Sequence, residues 1–268
     1  MGIGASVDAT PPPPPIPDDP ALYANTPITV AASGTDNVIV ILERGGRVSG
    51  HLEFDGTKER PDGAALSRVP VILERADNAT IFSPNIAGTP TAPPGRVDET
   101  GTFKTYGQPP GKYLFRIGGA PSGWTLKSAI AEGRDISDTP FDLGTKDLTN
   151  VVVTFTDRPT KLTGVAHTKD GNPDPEALVI VFPADPAAWS DFGLNPRRLR
   201  SVRPAKDGTY TFSGLPVGDY YVMAIGDDSI DSWQNPEALA DLARSATQVR
   251  IGDGDTRTQD LVRSGGSK

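Results

Sequence analysis

The chain has 268 residues, a formal net charge of −8 and no cysteine. The negative charge opposes binding to a nucleic-acid backbone, and the lack of thiols excludes disulfides, thiolate metal sites and cysteine nucleophiles. The 29 glycines and 27 prolines favour many short strands joined by turns, and the length fits two domains of ordinary size.

The N-terminal residues 1–27 are predicted to form a stiff linker with a flexible start. Pro11 to Pro15 are consecutive prolines, and such a run prefers the extended polyproline II conformation. An apolar, strand-like run follows at 36–43. Two interpretations of it stay open, namely the closing strand of a module that precedes this chain and an extra edge strand of the first module.

Two β-sandwich modules are predicted after the linker, at 28–158 and 159–264. Their strands are short runs of β-branched and aromatic residues bounded by turn formers. In the first module the expected strands include 47–54, 69–75, 124–131 and 148–156. In the second they include 160–168, 177–183, 199–203, 246–251 and 257–263. One helix is predicted at 235–244, with Asn235 as its N-cap and Pro236 in its first position.

An internal repeat supports this division. Residues 101–113 read GTFKTYGQPPGKY and residues 208–220 read GTYTFSGLPVGDY, so glycines, a proline and aromatic residues recur at the same places. A chain that repeats its turn formers about every 110 residues is built from equivalent modules. Tyr113 and Tyr220 follow the Pro-x-Gly step of each copy. We expect both hydroxyls to bond back to that turn, as in the tyrosine corner of Greek-key sandwiches.

The second module carries Leu162-Thr163-Gly164, then Asp170-Gly171-Asn172-Pro173, then the block from Asp207 to Tyr220. In these residues it resembles the carboxypeptidase regulatory-like family of transthyretin-like (prealbumin-like) β-sandwiches. The first module departs from the pattern at Thr100 and Gln108. The resemblance implies an all-β fold of two tandem Ig-like, transthyretin-like antiparallel sandwiches, and a non-catalytic accessory role in exported bacterial proteins.

Motifs for chemistry are absent from the sequence. It contains no nucleophile elbow, zinc-protease helix or phosphate loop, so we expect no enzyme, no catalytic residue and no cofactor. His51 and His167 are interpreted as ordinary strand residues. The acidic turns lack the spacing of a calcium loop, and no metal site is predicted. These turns contain Asp170, Asp174 and Glu176, then Asp227, Asp228 and Asp231, then Asp253 and Asp255.

A basic group at Arg197, Arg198, Arg200 and Arg203 is interpreted as solvated charge along a strand edge, which deters edge pairing. The alternative is contact with an anionic surface.

The predicted function is a structural and interaction module of a larger exported surface or periplasmic protein, whose signal lies outside this fragment. Its partner would be a protein or polysaccharide, without nucleic acid and without direct membrane insertion. One alternative is a carbohydrate-binding module, since sugar rings stack on exposed aromatic side chains. Its contacts would be Trp189, Trp233, Asp191, Asn195 and Gln234. The competing interpretation of both tryptophans is burial. A further alternative is an accessory domain of a hydrolase or an outer-membrane transporter.

Overall fold

The structure is a computed structural model that describes residues 16–24, 26, 28–30, 32, 34, 38–76, 93–226 and 233–264. The strands of the first half are β1 (Leu22–Tyr23), β2 (Glu43–Arg44), β3 (Val48–Asp55), β4 (Pro70–Arg75), β5 (Gly95–Val97), β6 (Thr102–Lys104), β7 (Gly111–Ile117), β8 (Thr125–Ala131), β9 (Arg134–Asp135), β10 (Phe141–Leu143) and β11 (Leu148–Thr156). A short helix, α1 (Gly63–Leu66), lies between β3 and β4.

The strands of the second half are β12 (Lys161–His167), β13 (Leu178–Pro183), β14 (Arg200–Val202), β15 (Thr209–Ser213), β16 (Gly218–Ile225), β17 (Thr247–Ile251), β18 (Thr256–Thr258) and β19 (Leu261–Val262). A 3-10 turn covers Pro186–Ala188. Helix α2 (Pro236–Ala243) begins at the N-cap Asn235, whose side chain accepts from the amide of Glu237, as predicted.

The first sandwich, residues 48–156, is one continuous sheet folded around a single core. Its strand order is β10-β7-β4-β5-β6-β3-β11-β8-β9. The far end of the sheet returns to β7, because the amide of Phe115 donates to the carbonyl of Ile136 at 2.9 Å. Buried side chains from strands across the sheet, among them Leu52, Phe103 and Phe155, form one cluster.

The second sandwich, residues 161–262, has two sheets. One has the order β15-β12-β18, with β19 also paired to β12, and the other has the order β14-β13-β16-β17. Strand β13 is buried on both faces. Val179 and Val181 face the core between the sheets, and Ile180 and Phe182 lie in a second cluster that also contains Leu239 of α2. The helix therefore adds a third layer outside the second sheet.

Both sandwiches use the same strand pairing. The first strand, β3 or β12, pairs antiparallel with β6 or β15 and parallel with the closing strand, β11 or β18 and β19. The other half pairs β4 with β5 and β7, and β13 with β14 and β16. The copies differ where β8 and β9 stand in the first sandwich and α2 stands in the second.

A glycine in each first strand permits close approach of the closing strand. A Cβ added at Gly50 would overlap the carbonyl oxygen of Val151, and one at Gly164 would overlap that of Gln259. The ladder shifts register near the first of these contacts, where Asn150 has a φ of 60°. The matching glycines thus belong to the β-pairing itself.

Most strand predictions are confirmed, but residues 38–42 do not form the extra edge strand that one of the two interpretations of 36–43 expects. They form no strand and are exposed, and the next two residues pair as β2 with β1. The edge-strand interpretation of 36–43 is therefore wrong for 38–42, and Glu43 pairs with β1 in a separate two-stranded sheet. Strand β3 already has β6 and β11 on its two sides, so no place beside it is free. Pro11 to Pro15 lie outside the described residues.

Candidate functional site

A group of polar contacts joins the two sandwiches. Residues 184–199, which we call the docking loop, connect β13 to β14 and contact the first sandwich. Arg116 Nη2 donates to the carbonyl of Phe192 at 2.8 Å, and the amide of Leu194 donates to the carboxylate of Glu74. Asp191 pairs with Lys112 at 3.3 Å. Main-chain groups of the loop thus find partners in the other sandwich.

The docking loop is shaped by its own side chains. Asp185 caps the 3-10 turn by accepting from the amide of Ala187 at 3.0 Å. The ring of Trp189 packs against Phe182 with centroids 6.0 Å apart, and its Nε1 donates to the carbonyl of Pro183 at 2.8 Å. A buried tryptophan that has satisfied its N–H holds such a loop against a sheet.

At the end of the docking loop, Arg197 enters the first sandwich. Its guanidinium donates to Ser137 Oγ at 2.6 Å and to the carbonyl of Leu126 at 2.7 Å, and it pairs with Asp138 at 3.3 Å. Arg198 pairs with the same carboxylate at 3.3 Å. Two arginines of one sandwich therefore bind one aspartate of the other.

Asp138 is the charged centre of this contact. Its side chain is only 3% exposed, and burial raises its pKa, while Arg197 and Arg198 oppose the rise. A buried carboxylate without cations would be strongly disfavoured, and the paired guanidiniums make the ionised form tolerable. Arg116 lies beside this contact and donates to the carboxylate of Glu74 at 2.6 Å and to the carbonyl of Ser137 at 2.5 Å.

Hydrogen bonds also fix the short connection between the sandwiches, which lies between β11 and β12. Asp157 accepts from the amides of Thr57 and Lys58, both at 2.8 Å, and these donors hold the pKa of Asp157 below its usual value. Lys127 bridges Asp55 of the first sandwich and Asp253 of the second, at 2.6 Å and 2.7 Å. Its pKa is raised, first by Asp253 and then by Asp55.

The space enclosed at this contact is small. The cleft lined by Leu126, Pro159, Arg197, Leu215 and other residues has a volume of about 30 Å³. That is room for one or two water molecules and not for a sugar or cofactor. A larger, open depression of about 500 Å³ lies over β3, lined by His51, Glu53, Arg60 and others.

The structure buries both tryptophans of the predicted carbohydrate contacts. Trp189 and Trp233 are each 6% exposed and belong to the cluster around α2, so a sugar could stack on them only if they left the core. Asp191 binds Lys112, and Asn195 and Gln234 are exposed. Carbohydrate binding at these residues stays a prediction.

The sequence indicates solvated charge along a strand edge for the basic group at Arg197, Arg198, Arg200 and Arg203. That interpretation is wrong, because all four side chains contact protein groups. Arg197 and Arg198 bind Asp138, because the docking loop carries them to the first sandwich. Arg200 lies over the ring of Phe212 at 5.8 Å and donates to the carbonyl of Ser213. Arg203 donates to the carbonyl of Glu176.

The acidic turns bind protein groups. Asp174 pairs with Arg263 at 3.1 Å, and Asp255 accepts from the amide of Gly252 at 2.9 Å. Asp227, Asp228 and Asp231 lie outside the described residues. Within the described ranges no group of three or more acidic or histidine side chains could hold a metal ion. His51 lies 3.3 Å from Glu53 on the open face of β3.

Sequence reasoning missed Arg116, Glu74 and Asp138. A signal for the first existed, because Arg116 interrupts the apolar run of β7 and a charge inside a buried strand requires a partner. Asp138 had no comparable signal, since it follows β9 in a short polar stretch typical of a turn.

No family model matches this chain. No curated protein matches it either. Of the described helices, none has the length and apolar character of a membrane span.

Solved structures similar to this chain include three bacterial proteins. The shaft pilin SpaA of Lactobacillus rhamnosus GG, as its E269A mutant, is 12% identical with a TM-score of 0.32, covering 84% of this chain and 99% of the pilin chain. The minor pilin GBS52 of Streptococcus agalactiae is 13% identical with a TM-score of 0.31, covering 84% and 98%. The TIE protein of Bacillus anthracis is 11% identical with a TM-score of 0.26, and the match spans 84% of this chain and 38% of that protein. At these TM-scores the fold assignment rests on the strand pairing described above.

Proposed function

We propose that this chain is a non-catalytic structural segment of a larger bacterial protein at the cell surface, in which two sandwiches of the carboxypeptidase regulatory-like type form one rigid spacer. The observation that carries the proposal is the contact at Asp138. Arg197 and Arg198 reach it from the other sandwich, and buried ion pairs of this kind fix one arrangement of the groups that carry them.

The docking loop and the connection add to this rigidity. Glu74 and Arg116 bind main-chain groups of the loop, and Asp157 fixes the short connection to the turn after β3. Domains joined only by a flexible linker usually reorient, whereas contacts on both sides of a short connection oppose bending. The resemblance to carboxypeptidase regulatory-like modules supports a place in an exported protein.

A distance measurement tests the spacer. The chain has no cysteine, so spin labels can be attached at Asp142→Cys on β10 and Gln248→Cys on β17, both on exposed side chains. We expect pulsed electron spin resonance to give one narrow distance distribution. Arg197→Ala should broaden it, and Arg250→Ala, an exposed arginine away from this contact, should leave it unchanged.

A broad distribution in the unaltered protein would contradict the spacer. Binding on a glycan array that disappears on Asn195→Ala together with Gln234→Ala would favour the carbohydrate alternative. These two side chains are exposed, so their replacement leaves both cores intact.

A further inference from the structure

Residues 28–42 carry apolar side chains that the first sandwich does not cover. Ile28, Val30, Val38, Val40 and Leu42 are between 44% and 69% exposed. Large apolar side chains exposed in this number within a short segment are uncommon on a folded protein and mark an interaction site.

The same segment matches the end of the first sandwich in sequence. Residues 26–42 align with residues 139–155 without a gap. Five of the 17 positions are identical, and several others exchange one apolar residue for another. The identical pairs are Thr26 and Thr139, Pro27 and Pro140, Asn37 and Asn150, Val38 and Val151, and Val40 and Val153.

The five exposed residues have buried counterparts in that alignment. They correspond to Phe141 and Leu143 of β10 and to Val151, Val153 and Phe155 of β11, which are at most 4% exposed. Strand β10 pairs with β7, and β11 pairs parallel with β3, so together they close the first sandwich.

The first sandwich has no place for a second copy of these strands. Strand β3 lies between β6 and β11, and β7 lies between β4 and β10. Residues 43–47 are fixed to the start of the first sandwich. The main-chain amide of Arg47 donates to the carboxylate of Asp147 at 3.0 Å, and Arg44 pairs with the same carboxylate at 2.6 Å. The apolar segment therefore stands directly before β3, as β11 stands directly before β12.

We propose that residues 28–30 and 38–42 supply the last two strands of another sandwich of the same type, which precedes this one in the same polypeptide. Residues 28–30 pair with its equivalent of β7, and residues 38–42 run parallel to its first strand. The partner surface is an incomplete sandwich whose core lacks five aliphatic side chains. This inference extends the structural role proposed above, and its test does not depend on that role.

A fusion protein tests the inference. A second copy of residues 47–138, which lacks β10 and β11, is joined directly to Thr26 of the chain. If residues 26–42 close the added copy, the amides of 38–42 should exchange with deuterium about 100-fold or more slowly than in the unfused chain. Calorimetry should show the unfolding of a third folded unit. Mass spectrometry reads 38–42 without overlap, because this sequence occurs once.

Two matched fusions make the outcome decisive. In one, residues 47–156 are joined to Glu43, so that the added copy has its own closing strands. In the other, the first fusion carries Val38→Asp with Val40→Asp, which should abolish both the protection and the added folded unit. The inference is overturned if the self-closed copy folds while residues 38–42 of the first fusion stay unprotected. Equal protection in the aspartate variant would overturn it too.

Discussion

In each sandwich one tyrosine hydroxyl fixes a turn, and one glycine permits close contact between two strands. The hydroxyl of Tyr113 donates to the carbonyl of Pro109 at 2.8 Å, and that of Tyr220 donates to Pro216 at 2.7 Å. The expected tyrosine corner is thus present in both sandwiches. Burial raises the pKa of Tyr220, so the hydroxyl stays a donor over the whole physiological range.

Tyr220→Phe is expected to lower the free energy of unfolding by about 1 kcal/mol, because it removes the bond to the turn and leaves a buried carbonyl without its donor. Urea unfolding followed by fluorescence measures the change. Tyr221→Phe, at the next residue of β16, leaves the turn unaltered and serves as the control. Equal effects of the two changes would exclude the corner as a source of stability.

Gly164→Ala is expected to destabilise the second sandwich by about 3 kcal/mol, because the new methyl group meets the main chain of the closing strand, which cannot move aside as a side chain would. Gly50→Ala should act in the same way on the first sandwich. Gly144→Ala is the control, since a Cβ there meets nothing within 4 Å. A midpoint of thermal unfolding that is the same for Gly164→Ala and Gly144→Ala would refute the close-approach argument.

Among the elements, the docking loop joins the two sandwiches through both its main chain and its arginines. Two arginines set the position of the loop on the first sandwich. Arg116 binds the loop carbonyl of Phe192, and Arg197 of the loop binds Asp138. Loops carry functional contacts because a scaffold positions them. Here the scaffold is β13 and β14 at its ends and Trp189 in its middle.

Arg197→Ala is expected to cost about 3 kcal/mol near neutral pH, because it leaves a buried carboxylate with one cation fewer. The loss should shrink as the pH falls. The folded pKa of Asp138 is raised by burial and rises further without Arg197, so the folded variant binds a proton more tightly than the unfolded chain does. Its stability relative to the unaltered protein therefore recovers as the pH falls from neutral through the raised folded pKa of Asp138.

Chemical unfolding at several pH values measures this dependence. Asp138→Asn combined with Arg197→Ala should be more stable than Arg197→Ala alone near neutral pH, because the neutral amide needs no cation. A loss from Arg197→Ala that is the same at every pH would show that the charge of Asp138 is not its cause.

The strands and the α2 cap were predictable from sequence, whereas the contact between the sandwiches was not. Alternating apolar residues and turn formers are local signals, and they located β13 and the Pro-x-Gly turns before Tyr113 and Tyr220. The pairing of Asp138 with Arg197 joins residues 59 positions apart in different sandwiches, and it depends on how the docking loop folds. Trp189 shows the same limit, since its loop position favoured burial but left exposure as an alternative.

For the whole molecule, the first sandwich has one core cluster and the second has two, and polar contacts link the sandwiches, so the stabilities of the two sandwiches should be coupled. Calorimetry of the unaltered protein is expected to show one transition. Arg116→Ala with Arg197→Ala should split it into two, because these side chains carry the bonds to Phe192 and Asp138. Two resolved transitions already present in the unaltered protein would contradict the coupling.

The parallel pairing of first and last strands has a mechanical consequence. The chain enters the first sandwich at Val48 and leaves it at Thr156, at opposite ends of the β3–β11 ladder. Each sandwich thus advances the chain by the length of a strand, about 30 Å for nine residues. A tensile force along the chain would load the hydrogen bonds of this ladder in shear, all at once, and would not peel them apart one by one. The second sandwich, with β12 beside β18 and β19, meets the same load in the same way.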